Sequence, residues 1–300
     1  MLAQADLGHL YLTGRGTEAD PVAAAEQFRV AAEKGNAYAE RELAVLTEHG
    51  TGTPQDAAEA LLLYRAAAAQ GLATAQADLG FDYQFGRLGL VADKVEAARL
   101  LRLAADQGNP FAQDVLGDIY GSGLGVPRDR ATAIAWYRKA AEQGRVHAES
   151  ALGNLLGETG ELEEAAMWLR KAAEAGDPVA QINLSQAYRF GRGVKTDIPQ
   201  MMLWLRKSAE QGRAEAMNGL GYSIMIGFDD TYDFVEAYAW LTLAVERAPP
   251  GDIHDRAVVN LEKAKTLLGE DDLPKAEARA QHLREVVPAL VDAGQAAASQ

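Results

Sequence analysis

The chain is 300 residues long, 48% hydrophobic and 24% charged, which sets it among globular chains with a large core and apart from core-poor disordered ones. Its 43 acidic against 29 basic residues leave a net charge of -14, so the surface repels a phosphate backbone and no nucleic-acid partner is expected. Cysteine is absent, which excludes disulfides, thiolate metal sites and a cysteine nucleophile; no apolar run of ~18 residues and no charged-then-apolar leader marks a membrane span or signal peptide.

Read in chain order, the sequence repeats itself. An alanine recurs at Ala3, Ala39, Ala75, Ala112, Ala148, Ala180 and Ala216, with spacings of 36, 36, 37, 36, 32 and 36. A fixed period of this length marks a solenoid of stacked supersecondary units. Four residues after each alanine stands a leucine, from Leu7 and Leu43 to Leu184 and Leu220, followed by a small residue such as Gly8, Ala44, Gly80, Gly117, Gly153, Ser185 or Gly221 that lets helices approach closely. Tyr11, Tyr83, Tyr120 and Tyr188 come next, and then a glycine turn, as in Gly50-Thr-Gly52, Gly123-Leu-Gly125 and Gly191-Arg-Gly193. Glycine adopts the left-handed cap without steric cost, so the first helix of each unit ends there.

An aspartate then recurs at Asp20, Asp56, Asp93, Asp129, Asp197 and Asp233, where it can accept the free N–H groups that open a second helix. That helix carries Trp136, Trp168, Trp204 and Trp240 at one frame position, on a stripe read as buried. It ends at Gly35, Gly71, Gly108, Gly144, Gly176 or Gly212, and Asn109-Pro110 and Asp177-Pro178 announce the next unit as cap plus first-turn proline. The fifth unit lacks four residues, so Gly157-Glu-Thr-Gly160 is expected to join its helices by a tighter turn, and the third carries one extra residue between Gly89 and Asp93.

The Leu-Gly-x-x-Tyr string with its Gly-x-Gly turn and long period resembles the Sel1-like branch of the tetratricopeptide repeats, and residues 112 to 147 match that pattern almost throughout. The resemblance implies an all-α solenoid of seven helix-turn-helix repeats over residues 1–247, starting near 1, 39, 75, 112, 148, 180 and 216. Residues 248–300 then form a C-terminal cap. Ala248-Pro249-Pro250-Gly251 breaks the helix, and two helical patterns follow, one facing inward through Ile253, Ala257, Val258, Leu261, Ala264 and Leu268 and the other through Leu273, Ala276, Ala280, Leu283 and Val287. The end of an array needs such a pair. Residues beyond Pro288 are expected to fray. The string Ala237-Tyr-Ala-Trp240 with these helices also resembles the terminal unit of many bacterial Sel1-like proteins, a number of them exported. The start at Met1, two residues before the first alanine, reads as the edge of a fragment preceded by a signal peptide or another domain; a signal peptide there would favour the periplasm or export, and its absence the cytoplasm.

Little in the chain suggests chemistry. Gly121-Ser-Gly123-Leu-Gly125 has helical flanks, where a phosphate loop needs a strand before it. The histidines, His9, His49, His147, His254 and His282, show no metal-ligand spacing, and the acidic groups Asp229-Asp230 and Glu270-Asp271-Asp272 suit helix starts. No catalytic residue, metal or cofactor is expected. Counting each recurring alanine as position 1, what varies is the first-helix surface at positions 3, 4, 7, 10 and 11, which the resemblance places on the concave face. Phe81, Phe85, Phe190 and Tyr222 are aromatics where the repeat does not demand them, with Asp118, Gln186 and Arg189 as polar neighbours. They are read as the partner-binding set, against the alternative that neighbouring repeats bury them. The function expected is a non-enzymatic scaffold, possible regulatory roles included, that binds a protein or peptide ligand, with self-association through the array ends as a further possibility. The alternatives are a peptidoglycan-associated binding protein, for which the aromatics would stack on sugar rings, and an enzyme accessory factor; the chain has no Ser-x-x-Lys of the penicillin-binding kind.

Overall fold

The computed structural model describes residues 2–16, 18–228 and 232–289. Among these, sixteen α-helices and no strand are found, giving an all-α solenoid of helix pairs. The chain divides into two compact units, Met1–Ala148 and Glu149–Gln300. The first holds the pairs α1 (Leu2–Thr13) and α2 (Pro21–Ala32), α3 (Ala37–His49) and α4 (Ala57–Ala69), α5 (Ala73–Phe85) and α6 (Lys94–Asp106), and α7 (Pro110–Ser122) and α8 (Arg130–Glu142). Helix α9 (Val146–Thr159) begins at the division, and the second unit continues with α10 (Leu162–Glu174), α11 (Pro178–Phe190), α12 (Ile198–Glu210), α13 (Ala214–Met225) and α14 (Phe234–Arg247), then α15 (Asp252–Leu267) and α16 (Leu273–Val286).

The second helices start where aspartate can cap them. Asp20, Asp56, Asp93, Asp129, Asp197 and Asp233 each accept backbone N–H groups of the first turn, as Asp56 does from Ala58 and Glu59 at 2.9 and 3.0 Å. First helices α3, α5, α7 and α11 end on glycines in the left-handed region, Gly50, Gly86, Gly123 and Gly191. The second glycine of the turn has an additional role. At Gly52, Gly125 and Gly193 a Cβ would collide with backbone at the start of the preceding repeat's second helix, at Pro21, Lys94 and Leu162 respectively. Only glycine permits that approach.

Within a repeat, the small residue of the first helix receives a large one from the second. Gly117 lies against the Tyr137 ring, Gly8 against Phe28, Gly153 against Leu169 and Gly221 against Leu241, all at distances that leave no room for a methyl group. The tryptophans are buried as the pattern requires, Trp136, Trp168, Trp204 and Trp240 being at most 8% exposed. Between repeats runs an amide ladder that hydrophobic patterning does not reveal. Gln113 Nε2 donates to the Ala105 carbonyl at 3.1 Å, and its Oε1 accepts from Gln143 at 2.7 Å; Gln76 with Gln107, and Gln181 with Gln211, repeat the arrangement. Each buried glutamine thus satisfies a helix-end carbonyl of the repeat before it.

Three departures from the repeat are resolved locally. In the fifth repeat α9 runs on through Gly157 to Thr159, leaving only Gly160 and Glu161 before α10, so the short connection is made by a longer helix and not by a four-residue turn. The extra residue of the third repeat is taken up in a loop where Leu88 adopts a left-handed φ of 52°. In α1, Ala3 and Leu7 are exposed although their counterparts Ala39 and Leu43 are buried. At the other end, Ala257, Ala264, Ala276, Ala280, Leu283 and Val287 join the core cluster of Trp240 and Leu241. Arg279 locks α16 to the seventh repeat through Glu236 at 2.7 Å, the same carboxylate that accepts the Trp240 indole N–H. The acidic pair Asp229-Asp230, the N-terminal Met1 and the tail 290–300 lie outside the described residues.

Candidate functional site

Four of the seven side chains singled out in the sequence come together in the second unit. Gln186, Arg189, Phe190 and Tyr222 line one cleft of about 670 Å³, between α11, α13 and α15, with Met201 and Leu205 of α12 as its buried floor. Each wall is a helical stripe of period three to four: Ile182 to Arg189 on α11, Glu215 to Tyr222 on α13, and Arg256, Val259, Asn260 and Lys263 on α15. Phe190 is 60% exposed and Val259 54%, while Tyr222 is half-buried and packs against the core cluster. The Arg189 guanidinium carbon lies 5.0 Å from both the Phe190 and the Phe228 ring centroids, within cation–π range of each.

Gln186 also belongs to a second, smaller cleft of about 360 Å³ on the other side of α11, reaching Asn154 and Gly157 of α9. Two asparagine pairs mark this pair of clefts. Asn183 Nδ2 donates to Asn154 Oδ1 at 2.6 Å in one, and Asn260 Nδ2 donates to Asn218 Oδ1 at 2.9 Å in the other. Each pair leaves amide donors and acceptors over, the groups that an extended main chain can use. The asparagines and the α15 wall were not read from the sequence; their signal, a polar amide on the variable face of successive helices, stands out only once the helices are stacked.

The other three residues lie in the first unit and differ among themselves. Phe81 is half-buried, its ring 4.7 Å from Phe85 and 5.6 Å from Phe111, with Arg87 over one ring and Arg145 over another. Phe85 remains 58% exposed at the edge of this cluster. Asp118 is half-buried and accepts the Tyr137 hydroxyl at 2.6 Å; burial raises its carboxyl above the usual range against that hydrogen bond. Its carboxylate thus joins α7 to α8 within one repeat.

Burial pushes the Asp82 carboxyl up to about 7 beside Arg87, and a hydrogen bond to Asp114 at 2.8 Å raises the His147 imidazole to about 9. Among the described residues no group of three or more His, Asp or Glu side chains is arranged to hold a metal ion, and no helix is long and apolar enough to cross a membrane.

The repeat carries its own likeness. The Sel1 repeat model matches seven times, at residues 2–36, 37–72, 73–109, 110–144, 146–177, 178–212 and 214–248. A solved structure from uropathogenic Escherichia coli, described as a protective antigen displaying an SLR fold, is similar at 33% identity with a TM-score of 0.86. That similarity covers 95% of this chain and 61% of that one, so the chain spans less than two thirds of that relative's length. A Sel1 repeat protein from Oxalobacter formigenes is similar at 27% identity and a TM-score of 0.70, over 83% of this chain and 98% of its own. No curated protein sequence matches the chain. With Asp-capped second helices, Gly-x-Gly turns and the repeat model matched over most of its length, the chain belongs to the Sel1 repeat family, a helical scaffold fold that is typically non-catalytic and generally serves protein–protein interaction.

Proposed function

We propose that this chain is a non-enzymatic scaffold that holds an extended segment of a partner protein in the cleft between α11, α13 and α15. The observation that carries the reading is Phe190. A phenylalanine 60% exposed at the rim of a cleft, stacked on Arg189 and facing a wall with half-buried Tyr222, has the character of an interface anchor and no role in the repeat's own packing. The leftover amide groups of Asn218, Asn260 and Gln186 supply main-chain partners for a ligand that brings its own unpaired N–H and C=O groups.

The test is capture with the purified chain as bait, run beside a Phe190→Ala, Asn218→Ala double variant. A partner held by the parent should be lost from the variant while the two proteins melt alike. Anchors at an interface centre are each worth about 1–2 kcal/mol or more, so the double change should weaken binding by about thirtyfold to a thousandfold if the two effects add. Equal capture by parent and variant would remove the cleft from consideration.

A further inference from the structure

The cleft of the second unit has a charge pattern opposite to that of the chain. Arg189, Arg256 and Lys263 line it, and among the described residues none of the three is within ion-pair distance of a carboxylate. In a chain with 43 acidic residues, three cations without a carboxylate partner thus gather in one cleft, while Arg206, Lys265, Lys275, Arg279 and Arg284 of the same unit are paired. Two acidic side chains, Glu215 and Asp255, also line the cleft, each in the first turn of its helix, α13 or α15, where the helix dipole offsets part of its charge and the three cations still outnumber them. Arg189 is the best placed of the cations. The Phe190 and Phe228 rings flank its guanidinium carbon at 5.0 Å, and its N–H groups make no hydrogen bond among the described residues, so they are left for a planar, two-oxygen acceptor. Arg256 donates through Nε only to the Asp252 carbonyl, and it lies on one face of α15 with Lys263, seven residues on.

We propose that the occupant of this cleft is an acidic, extended peptide segment, with a carboxylate side chain taken by Arg189, further negative charge met by Arg256 and Lys263, and an apolar side chain laid on Phe190 and Val259. The proposal rests on the scaffold reading above and gives its ligand a chemistry. It runs against the whole-chain field. A net charge of -14 draws basic peptides to the surface without specificity, so a preference for acidic ones must be local to the cleft.

A random dodecapeptide library displayed on phage, selected on the purified chain, tests it. Selection on the parent should enrich peptides with Asp or Glu beside an apolar residue. A synthetic copy of the strongest binder, followed by fluorescence anisotropy, should lose at least tenfold in affinity when its acids become amides. It should lose as much against Arg189→Gln, and against an Arg256→Gln, Lys263→Gln double variant, each checked by its melt to be folded as the parent. Enriched peptides without an acidic excess, or an affinity indifferent to the acid-to-amide change, would overturn the acidic ligand and leave the scaffold reading standing. Failure to enrich any peptide whose binding depends on Phe190 would overturn both. Gel filtration of the unliganded chain as a dimer that Phe190→Ala dissociates would assign the cleft to a second copy and overturn the peptide.

Discussion

At the scale of single residues, the structure turns a periodic pattern into specific contacts with specific costs. Trp136 and Trp204 occupy the same frame position in different units and are 7% and 6% exposed. Replacing either by alanine vacates an aromatic site in a close-packed stack and is expected to cost about 3–5 kcal/mol in a urea melt. A cost below about 1 kcal/mol for both would contradict their burial. Asp82 gives a different kind of expectation. Its carboxyl is 3% exposed, and burial lifts it to about 7, with Arg87 pulling it down and Glu48 and Asp78 pushing it up. A carboxyl raised on folding binds its proton more tightly in the native state, so its contribution to stability falls as pH rises from about 4, the unfolded range, through about 7. Asp82→Asn should therefore flatten the decline of stability between pH 5 and about 7.5 in denaturant melts. An identical slope in parent and variant would show that Asp82 stays ionised throughout.

At the scale of the element, the helices owe their limits to chemistry within one turn. The Asp56 side chain accepts two N–H groups at the start of α4, and Asp56→Ala should cost about 1 kcal/mol, measured by chemical denaturation. The fifth repeat is the counterexample: Glu161 stands at the cap position of α10 in place of the usual aspartate, and its side chain makes no capping bond. A cap substitution at Glu161 should accordingly have less effect than Asp56→Ala. Pairs of helices are fixed by size complementarity, Gly117 against Tyr137 and Gly153 against Leu169, and successive repeats by the glutamine ladder. These contacts join residues less than a repeat apart, and the period reproduces them in several of the repeats.

At the scale of the whole molecule, each unit has its own core and the C-terminal helices belong to that of the second. Ala276, Ala280 and Leu283 of α16 cover the same cluster as Trp240, and Arg279 ties α16 to Glu236. Burial alone would raise the Glu236 carboxyl, but hydrogen bonds from Arg279 and Trp240 hold it below the usual range, so this link persists at neutral pH and is lost as pH falls through that lowered value. Removing residues 252–300 should expose the apolar side of α14 and strip one wall from the cleft. Self-association in gel filtration, or faster amide exchange in α13 and α14, is the expected result. A truncated chain that stays monomeric with unchanged exchange would mean that α14 needs no cover. The cleft then depends on tertiary assembly in a literal sense, since one of its walls, from Asp255 to Lys263, comes from α15, outside the repeats.

The division between what is legible in the sequence and what is not follows the range of the interactions. Period, helix starts at Asp20, Asp56 and Asp129, helix ends at Gly50 and Gly123, and the buried tryptophan stripe all depend on backbone satisfaction within a turn or on side-chain size at a repeated position, so the residues themselves determine them. Which variable side chains remain open does not repeat, because exposure is set by the particular residue a neighbouring helix brings alongside. Phe81 and Phe190 share a status in the sequence, but Phe111 and Phe85 close over the first, whereas the second stays open beside Arg189. Asp118 becomes a partner of Tyr137, and the third wall of the cleft comes from Arg256, Val259, Asn260 and Lys263, which no repeat frame contains. The sequence alone determines the scaffold and the helix faces available to a ligand; the stacking of those faces decides where two or three of them leave a space.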